Sequence, residues 1–278
     1  LSLIEKKNII QKMSIRFWQV EILKKSIKKK EKLKILENNL KIAPQSLVLD
    51  LGCAQGILSF FLRKKGGFWV SVDQDFLNLK TSKNLLEKNL IQIGPGSLPF
   101  QNRVFNLVLC LDYLEHLEDD LFCLKEINRV LKEEGILILA TPRRGKKMLL
   151  NRVRPLLGLK IENYGHKKEG YTLKELEEKL RNTHFSIEKK TTFARFFSEA
   201  IELVLNFFYI KLFSKPEAPT LRDGHIRPSS KEEFASVEKV FRLYSFVYPL
   251  LWMISRLDKL LFFQKGYGIL IWARKSGP

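Results

Sequence analysis

Cysteine is scarce in this chain. Its three thiols, Cys53, Cys110 and Cys123, form no CxxC pair. That excludes a disulfide framework and the usual thiolate metal sites, and leaves reduced thiols packed for structural reasons in a cytoplasmic protein. Long apolar runs are missing too. In the apolar C-terminal part the longest uncharged stretch, Leu243 to Ser255, is 13 residues between Arg242 and Arg256, whereas a spanning helix needs about 18 to 20. The first residues, LSLIEKKNIIQKM, are broken by charge, and no secretory signal is expected from them. Acids are in deficit, 30 Asp and Glu against 49 Lys and Arg, for a formal net charge of +19. Such a surplus calls for an anionic partner: a lipid headgroup, a phosphorylated substrate or nucleic acid. A chain of 278 residues with 45% hydrophobic content is long and apolar enough for one well-buried domain with appendages.

The cations are unevenly placed. Residues 1–45 hold twelve Lys and Arg against four Glu, including the run Lys28, Lys29, Lys30. A second cluster, Arg143, Arg144, Lys146, Lys147, Arg152 and Arg154, contains no acid. The first reads equally as a solvated helix face or a binding surface. The second is expected to touch a ligand, because it leaves the end of an apolar strand.

That strand belongs to an ordered series. VLDLGCAQG at 48–56 is a short apolar strand ending in Asp50, a turn through Gly52 and Gly56, and a helix from about Ile57. Glycines there permit positive φ and close approach of a ligand to backbone. The next apolar run, GFWVSVD, ends at Asp73, 23 positions after Asp50, where a carboxylate can accept hydrogen bonds from ribose hydroxyls. SLPF at 97–100, a strand VFNLVLCLD at 104–112, LEH at 114–116, a helix over about 119–132 and a strand GILILATP to Pro142 follow. That helix is expected to present Leu121, Leu124, Ile127 and Leu131 to the sheet.

With these motifs in this order, the chain resembles the class I S-adenosylmethionine-dependent methyltransferases of the type 11 group, which includes the ubiquinone-type O-methyltransferases. The resemblance covers about positions 45–192 and a last strand near 267–274. It implies a Rossmann-like α/β fold with a seven-stranded sheet, and S-adenosylmethionine (SAM) across the carboxyl ends of the first strands. By the same resemblance Asp50 and the turn Gly52, Ala54, Gly56 contact the methionine end, Asp73 takes the ribose, and Leu111 and Asp112 line the methionine moiety. Ala54 replaces the family's middle glycine and is expected to keep φ negative. Gly94 stands where the family commonly has an adenine-binding Asp, so either the backbone near Ser97 and Leu98, with the apolar face of Leu98, holds adenine or the site is weak or degenerate.

Methyl transfer is an in-line displacement whose activation resides in the sulfonium, so the protein mainly aligns the reactants. An oxygen acceptor needs its proton removed, and the base candidates are His116 in LEH and His166 in YGHKKEGYT; a loop-anchoring role for His116 is equally open. Arg143 and Arg144, with His166, are expected at the acceptor. Asp112, Glu115 and His116 have a composition able to hold a divalent ion, though strand-end acids are more often caps, and no structural metal is expected. The function expected is O-methylation of a small or lipid-linked acceptor. The alternatives are an RNA or nucleic-acid methyltransferase, disfavoured because LDYLEH replaces the NPPY or DPPY tetrapeptide, and a catalytically silent SAM-fold binding module.

Flanking elements complete the organisation. Residues 1–44 carry helical spacing, with Ile15, Trp18, Ile22, Leu33, Leu36 and Leu40 apolar among lysines. Thr172 and Glu175 spell a capping box for a helix to about Leu180, with a strand near Phe185–Thr192. The methyltransferase domain is read as 45–192 with 264–278, interrupted by an apolar helical insert over 193–263. The insert has two aromatic-rich stretches, 196–213 and 241–263, around a linker with Pro216, Pro219, Gly224 and Pro228. It reads as a lid, as an element lying on an anionic membrane at the inner face, or as an ordinary helical cap.

Overall fold

In a computed structural model the structure describes residues 18–145, 148–159, 161–213 and 231–277. Ile15, Lys146, Lys147 and the linker prolines and glycine lie outside the described residues.

Seven strands form one sheet: β1 (Leu47–Leu51), β2 (Phe68–Asp73), β3 (Leu90–Gln92), β4 (Phe105–Leu111), β5 (Leu131–Pro142), β6 (Phe185–Phe193) and β7 (Gly268–Lys275). Their order is β3-β2-β1-β4-β5-β7-β6. β1 to β5 are parallel to one another, and β7 runs antiparallel to both β5 and β6. The strands read as nearly unbroken apolar runs because both sheet faces are covered. Leu49, Val108 and Leu139 pack on one face, with Leu124 and Ile127 of α5 (Asp120–Val130) and Leu176 and Leu180 of α7 (Leu173–Asn182). Val48, Leu109 and Ile138 face the other way, toward Leu33 and Leu36 of α2 (Ile27–Asn39), Ile57 and Leu62 of α3 (Ile57–Leu62), and Leu85 and Leu86 of α4 (Phe76–Leu86). Period-two alternation thus divides each strand between two cores.

The capping box is present as the sequence spells it: Thr172 accepts from Glu175 N, and Glu175 answers to the Thr172 backbone. Two local expectations fail. α5 ends at Val130, and LKEEG is extended, because the fully buried Leu131 pairs with Phe105 at the start of β4. The apolar face of α5 is Cys123, Leu124, Ile127 and Val130, so Leu121 is left 37% exposed.

Three further helices lie at the carboxyl edge of the sheet. α6 (Leu149–Leu156) follows β5, and α8 (Phe196–Phe213) and α9 (Lys231–Ser255) lie in the 74-residue connection between β6 and β7, where a 3-10 turn, Arg256–Leu261, follows α9. α8 packs on α2 and α6, and α9 packs on α8 and on the short α1 (Trp18–Lys24), where Trp18 stacks on Phe234. Among the described residues no helix is long and apolar enough to cross a membrane. All three thiols are free and buried.

Candidate functional site

The carboxyl ends of β1, β2, β4 and β5 open into a cavity of about 450 Å³. Its floor follows from strand-end backbone. Gly52 adopts φ +73, and a Cβ there would lie 2.4 Å from the Tyr113 ring, so only glycine fits between that ring and the cavity. Ala54 also takes a left-handed conformation, φ 46, against the negative φ expected. The strain is held by its N–H, which donates to Asp73 Oδ2 at 2.8 Å. Gly56 is left-handed at the start of α3 and faces Ser82 and Leu86; it shapes the packing of α3 on α4 rather than the cavity wall.

Asp73 is 5% exposed and lines the cavity. Besides Ala54 N it accepts from Asp75 N at 2.9 Å and Asn78 Nδ2 at 3.2 Å. A carboxylate offers about four lone-pair positions, so roughly one remains for a ligand hydroxyl. Burial raises its pKa, against the opposing pull of these donors. Asp50 is 4% exposed and takes hydroxyl donors from Ser59 and Ser71; burial raises its pKa as well.

Leu111 and Asp112 line the cavity at the end of β4. Asp112 is left-handed (φ 54) and pairs with the ammonium of Lys32, which reaches over from α2. The Asp112 side chain is 43% exposed and ringed by protein, as a group lining a cavity is, while Lys32 is only 5% exposed. Enclosure works to raise the Asp112 pKa, but Lys32, with Lys28 and Lys29 behind it, brings the carboxyl below its ordinary range.

Ser97 and Leu98 are not brought to the cavity. Leu98 is 2% exposed in the core, its N–H donates to Glu126 Oε2 and its carbonyl accepts from Arg129. The Leu98 backbone is thus already engaged within the protein, against the role expected for it at adenine. The cavity wall near the β2 end is supplied instead by Gln74, Asp75 and Asn78.

His116 and His166 do meet, their rings edge to face with centroids 4.8 Å apart. His116 Nδ1 lies 2.9 Å from Gly165 O. A carbonyl only accepts, so Nδ1 carries a proton, and a lone pair on this ring can sit only on Nε2. His166 is pushed down to about 3, first by burial and then by His116 beside it. Glu115 beneath them is fully buried, accepts from Thr141 through Oε2, and has no partner for Oε1 among the described residues. Burial, then the charge of Asp112, push it up to about 8. Glu115, His116 and His166 bring ligand atoms within 4.8 Å of one another, the donor types of a carboxylate-imidazole site for a divalent ion. Asp112, grouped with Glu115 and His116 from the sequence, is held by Lys32 instead.

The remaining wall is a helical cap, whose ion pairs the sequence did not indicate. Glu199 of α8, 1% exposed, is bound by both Lys28 of α2, at 2.7 Å, and Arg154 of α6. Arg154 also donates to Tyr164 Oη at 3.0 Å. Glu202, Asn206 and Tyr267 line the same chamber. Arg143 lines it too, its guanidinium donating to the carbonyls of Lys265 and Gly266. Arg144 does not; it pairs with Glu175 at the surface. The signal present in the sequence was the i, i+4 spacing of Lys28 and Lys32, which sets both on one side of a helix.

Residues 49–139 match the family described as "Methyltransferase domain". Over those residues the chain is similar to the SAM-dependent methyltransferases, and that family implies SAM as cosubstrate. Within the family it is distantly homologous to ubiquinone biosynthesis O-methyltransferases; that of Pelagibacter ubique is 29% identical over 128 residues, 44% of this chain and 52% of that protein. A glycine/sarcosine/dimethylglycine N-methyltransferase of Actinopolyspora halophila is 28% identical over 148 residues, 49% of this chain and 25% of that protein. The chain thus spans about half the length of the first relative and less of the second. Among solved structures, the [4+2]-cyclase SpnF shares the fold at a TM-score of 0.57 and 16% identity, covering 89% of this chain and 82% of that one. Relatives named for oxygen, nitrogen and cyclisation chemistry share one sheet, so the acceptor has to be argued from the site.

Proposed function

We propose that the protein is a SAM-dependent methyltransferase acting on a hydroxyl oxygen of a small or lipid-linked acceptor, in the cytoplasm at the inner face of a membrane. One observation carries the reading: a single cavity joins the strand-end residues Gly52, Ala54 and Asp73 to His116, His166 and a cationic, hydrogen-bonding cap. Bound SAM supplies a methyl group already activated on sulfonium. Asp73 offers its remaining lone pair to the ribose, and the left-handed turn presents backbone to the methionine end. Lys32 and Asp112, opposite charges side by side, fit the carboxylate and ammonium of that end.

On the acceptor side His116 is the base. Its neutral Nε2 accepts the hydroxyl proton, while the Gly165 carbonyl holds the ring's tautomer. His166, too weakly basic at about 3 to take a proton near neutrality, stays neutral and orients the acceptor by hydrogen bonding. Arg143 and Arg154 favour an acceptor with an anionic group. Calorimetric titration with SAM tests the core of this reading: binding that weakens in Asp73→Ala supports it, and no binding to the unaltered protein overturns it. The silent binding module is a second reading, favoured by the absence of Ser97 and Leu98 from the cavity. It predicts SAM binding with no methyl transfer to any hydroxylated extract.

A further inference from the structure

The two faces of α9 differ. Phe234, Val237, Tyr248 and Ser255 are buried against the cap. The opposite face carries Leu243 at 67% exposure, Phe246 at 84%, Leu250 at 54% and Met253 at 56%, and the turn and tail beyond it add Leu260 at 69%, Phe262 at 80% and Phe263 at 70%. The spacing 243, 246, 250, 253 places the helical members on one stripe, and clustered exposed apolar side chains of this kind mark an interaction surface. The stripe is rigidly presented. Asp258 in the turn accepts from the N–H groups of Arg195, Phe197 and Ser198 at 2.8 to 3.1 Å, fastening the turn to the N-terminus of α8.

We propose that this face of α9 and its following turn docks the protein on an anionic lipid bilayer, lying in the interface without crossing it. Charge selects the occupant. From position 239 to 265 the cations are Lys239, Arg242, Arg256, Lys259 and Lys265, and the one acid, Asp258, is buried and committed to α8. Arg242 is paired with Glu238 just before this span; the other cations, on the same segment as the apolar stripe, match acidic headgroups over acyl chains. A second copy is disfavoured, because a two-fold interface through this stripe would bring the same cations against each other. The surface also borders the chamber: Phe263 precedes cavity-lining Tyr267 by four residues, and Arg143 is bonded to the Lys265 and Gly266 carbonyls between them. An acceptor anchored in the bilayer would therefore meet the chamber at the docked edge. This last step rests on the methyltransferase reading; the docking does not.

The test uses flotation of the full chain with vesicles of equal parts phosphatidylglycerol and phosphatidylcholine, and with phosphatidylcholine alone. Association is expected with the acidic vesicles and not the neutral ones, and is expected to fall as salt screens the cations. Replacing Phe246, Phe262 and Phe263 by serine should lower it by roughly tenfold or more. A second readout needs no folding-sensitive variant. Of the four tryptophans, Trp18, Trp69 and Trp272 are at most 6% exposed while Trp252 is 43% exposed, so quenching of unmodified protein by brominated acidic lipid reports on Trp252, and Trp252→Phe should abolish it. Absence of flotation and quenching at low salt overturns the proposal, as does flotation unaffected by the triple serine variant, or light scattering showing a dimer that the same variant dissolves. SAM calorimetry on the same protein is independent of all these outcomes, so failure here leaves the methyltransferase reading separately judged.

Discussion

The two halves of the cavity are built by different means. At the strand ends the wall is backbone: Gly52, Ala54 and Asp73 are positioned by neighbouring parallel strands and by hydrogen bonds across a few ångströms of turn. At the cap the wall is side chains from helices far apart in sequence, with Lys32 meeting Asp112 across 80 positions and Arg154 meeting Glu199 across 45. The first half is what a fold family shares. The second is where an individual member sets its acceptor, since its ion pairs can change without disturbing the sheet.

Breaking the strand-end half should have the largest effect. Asp73→Ala removes a charged acceptor and orphans the donors Ala54 N, Asp75 N and Asn78 Nδ2. A loss of about 2 to 4 kcal/mol in SAM affinity is expected. Calorimetry measures it, and an unchanged dissociation constant would detach Asp73 from the cofactor.

Glu199→Ala probes the cap. It leaves Lys28 and Arg154 facing each other without their shared carboxylate, and because both cations are partly solvated, at 26% and 20% exposure, the expected destabilisation is about 1 to 3 kcal/mol, below that of a fully buried pair. Chemical denaturation gives the value. If the halves are as separate as their construction implies, SAM affinity should change far less than the KM for acceptor. Equal changes in both would show that the cap also holds the cofactor.

That separation explains what was legible in the sequence. The strand-end residues rest on local signals, apolar runs, glycines in a tight turn and acids at strand ends, and the seven-stranded sheet on the family resemblance that these motifs carry. Thr172 with Glu175 is equally local, and the capping box forms as spelled. The burial of Leu98 was not legible, because nothing local announces that Glu126 and Arg129 claim its backbone from a helix about thirty positions on. Leu131 was drawn into α5 because a helical period cannot register its strand partner, Phe105. Lys32 and Glu199 stayed hidden for the same reason: a charged residue in a helix looks solvated until its partner is known.

Between the halves, Glu115 and His166 give a pH signature with two opposed signs. Glu115, pushed up to about 8 from an ordinary 4.5, keeps its proton in the folded state where the unfolded chain has lost it. Its contribution to stability is full below about pH 4.5 and is lost as pH rises through about 8. His166, lowered from 6.5 to about 3, behaves oppositely: its contribution is full above 6.5 and is lost as pH falls through about 3. Urea midpoints should therefore lose part of their fall between about pH 4.5 and 8 in Glu115→Gln, and part of their rise between about pH 3 and 6.5 in His166→Gln. Profiles that both variants leave unmoved would place these shifts elsewhere.

The smallest expected effect separates two adjacent cations. Arg143 and Arg144 are indistinguishable in the sequence, yet Arg143 lines the chamber, held by the Lys265 and Gly266 carbonyls, while Arg144 is paired with Glu175 outside it. The Arg144 side chain is 47% exposed and that of Glu175 30%, so the pair is worth at most about 1 kcal/mol and Arg144→Ala should change stability by no more than this. It should leave acceptor KM unchanged. Arg143→Ala removes a cation from the chamber wall and the tether between β5 and the start of β7. Acceptor KM should then rise several-fold while SAM affinity holds, because no strand-end residue depends on that guanidinium. If the two variants behave alike, position along the loop matters less than its total charge, and the distinction between a cofactor half and an acceptor half loses its sharpest residue-level support.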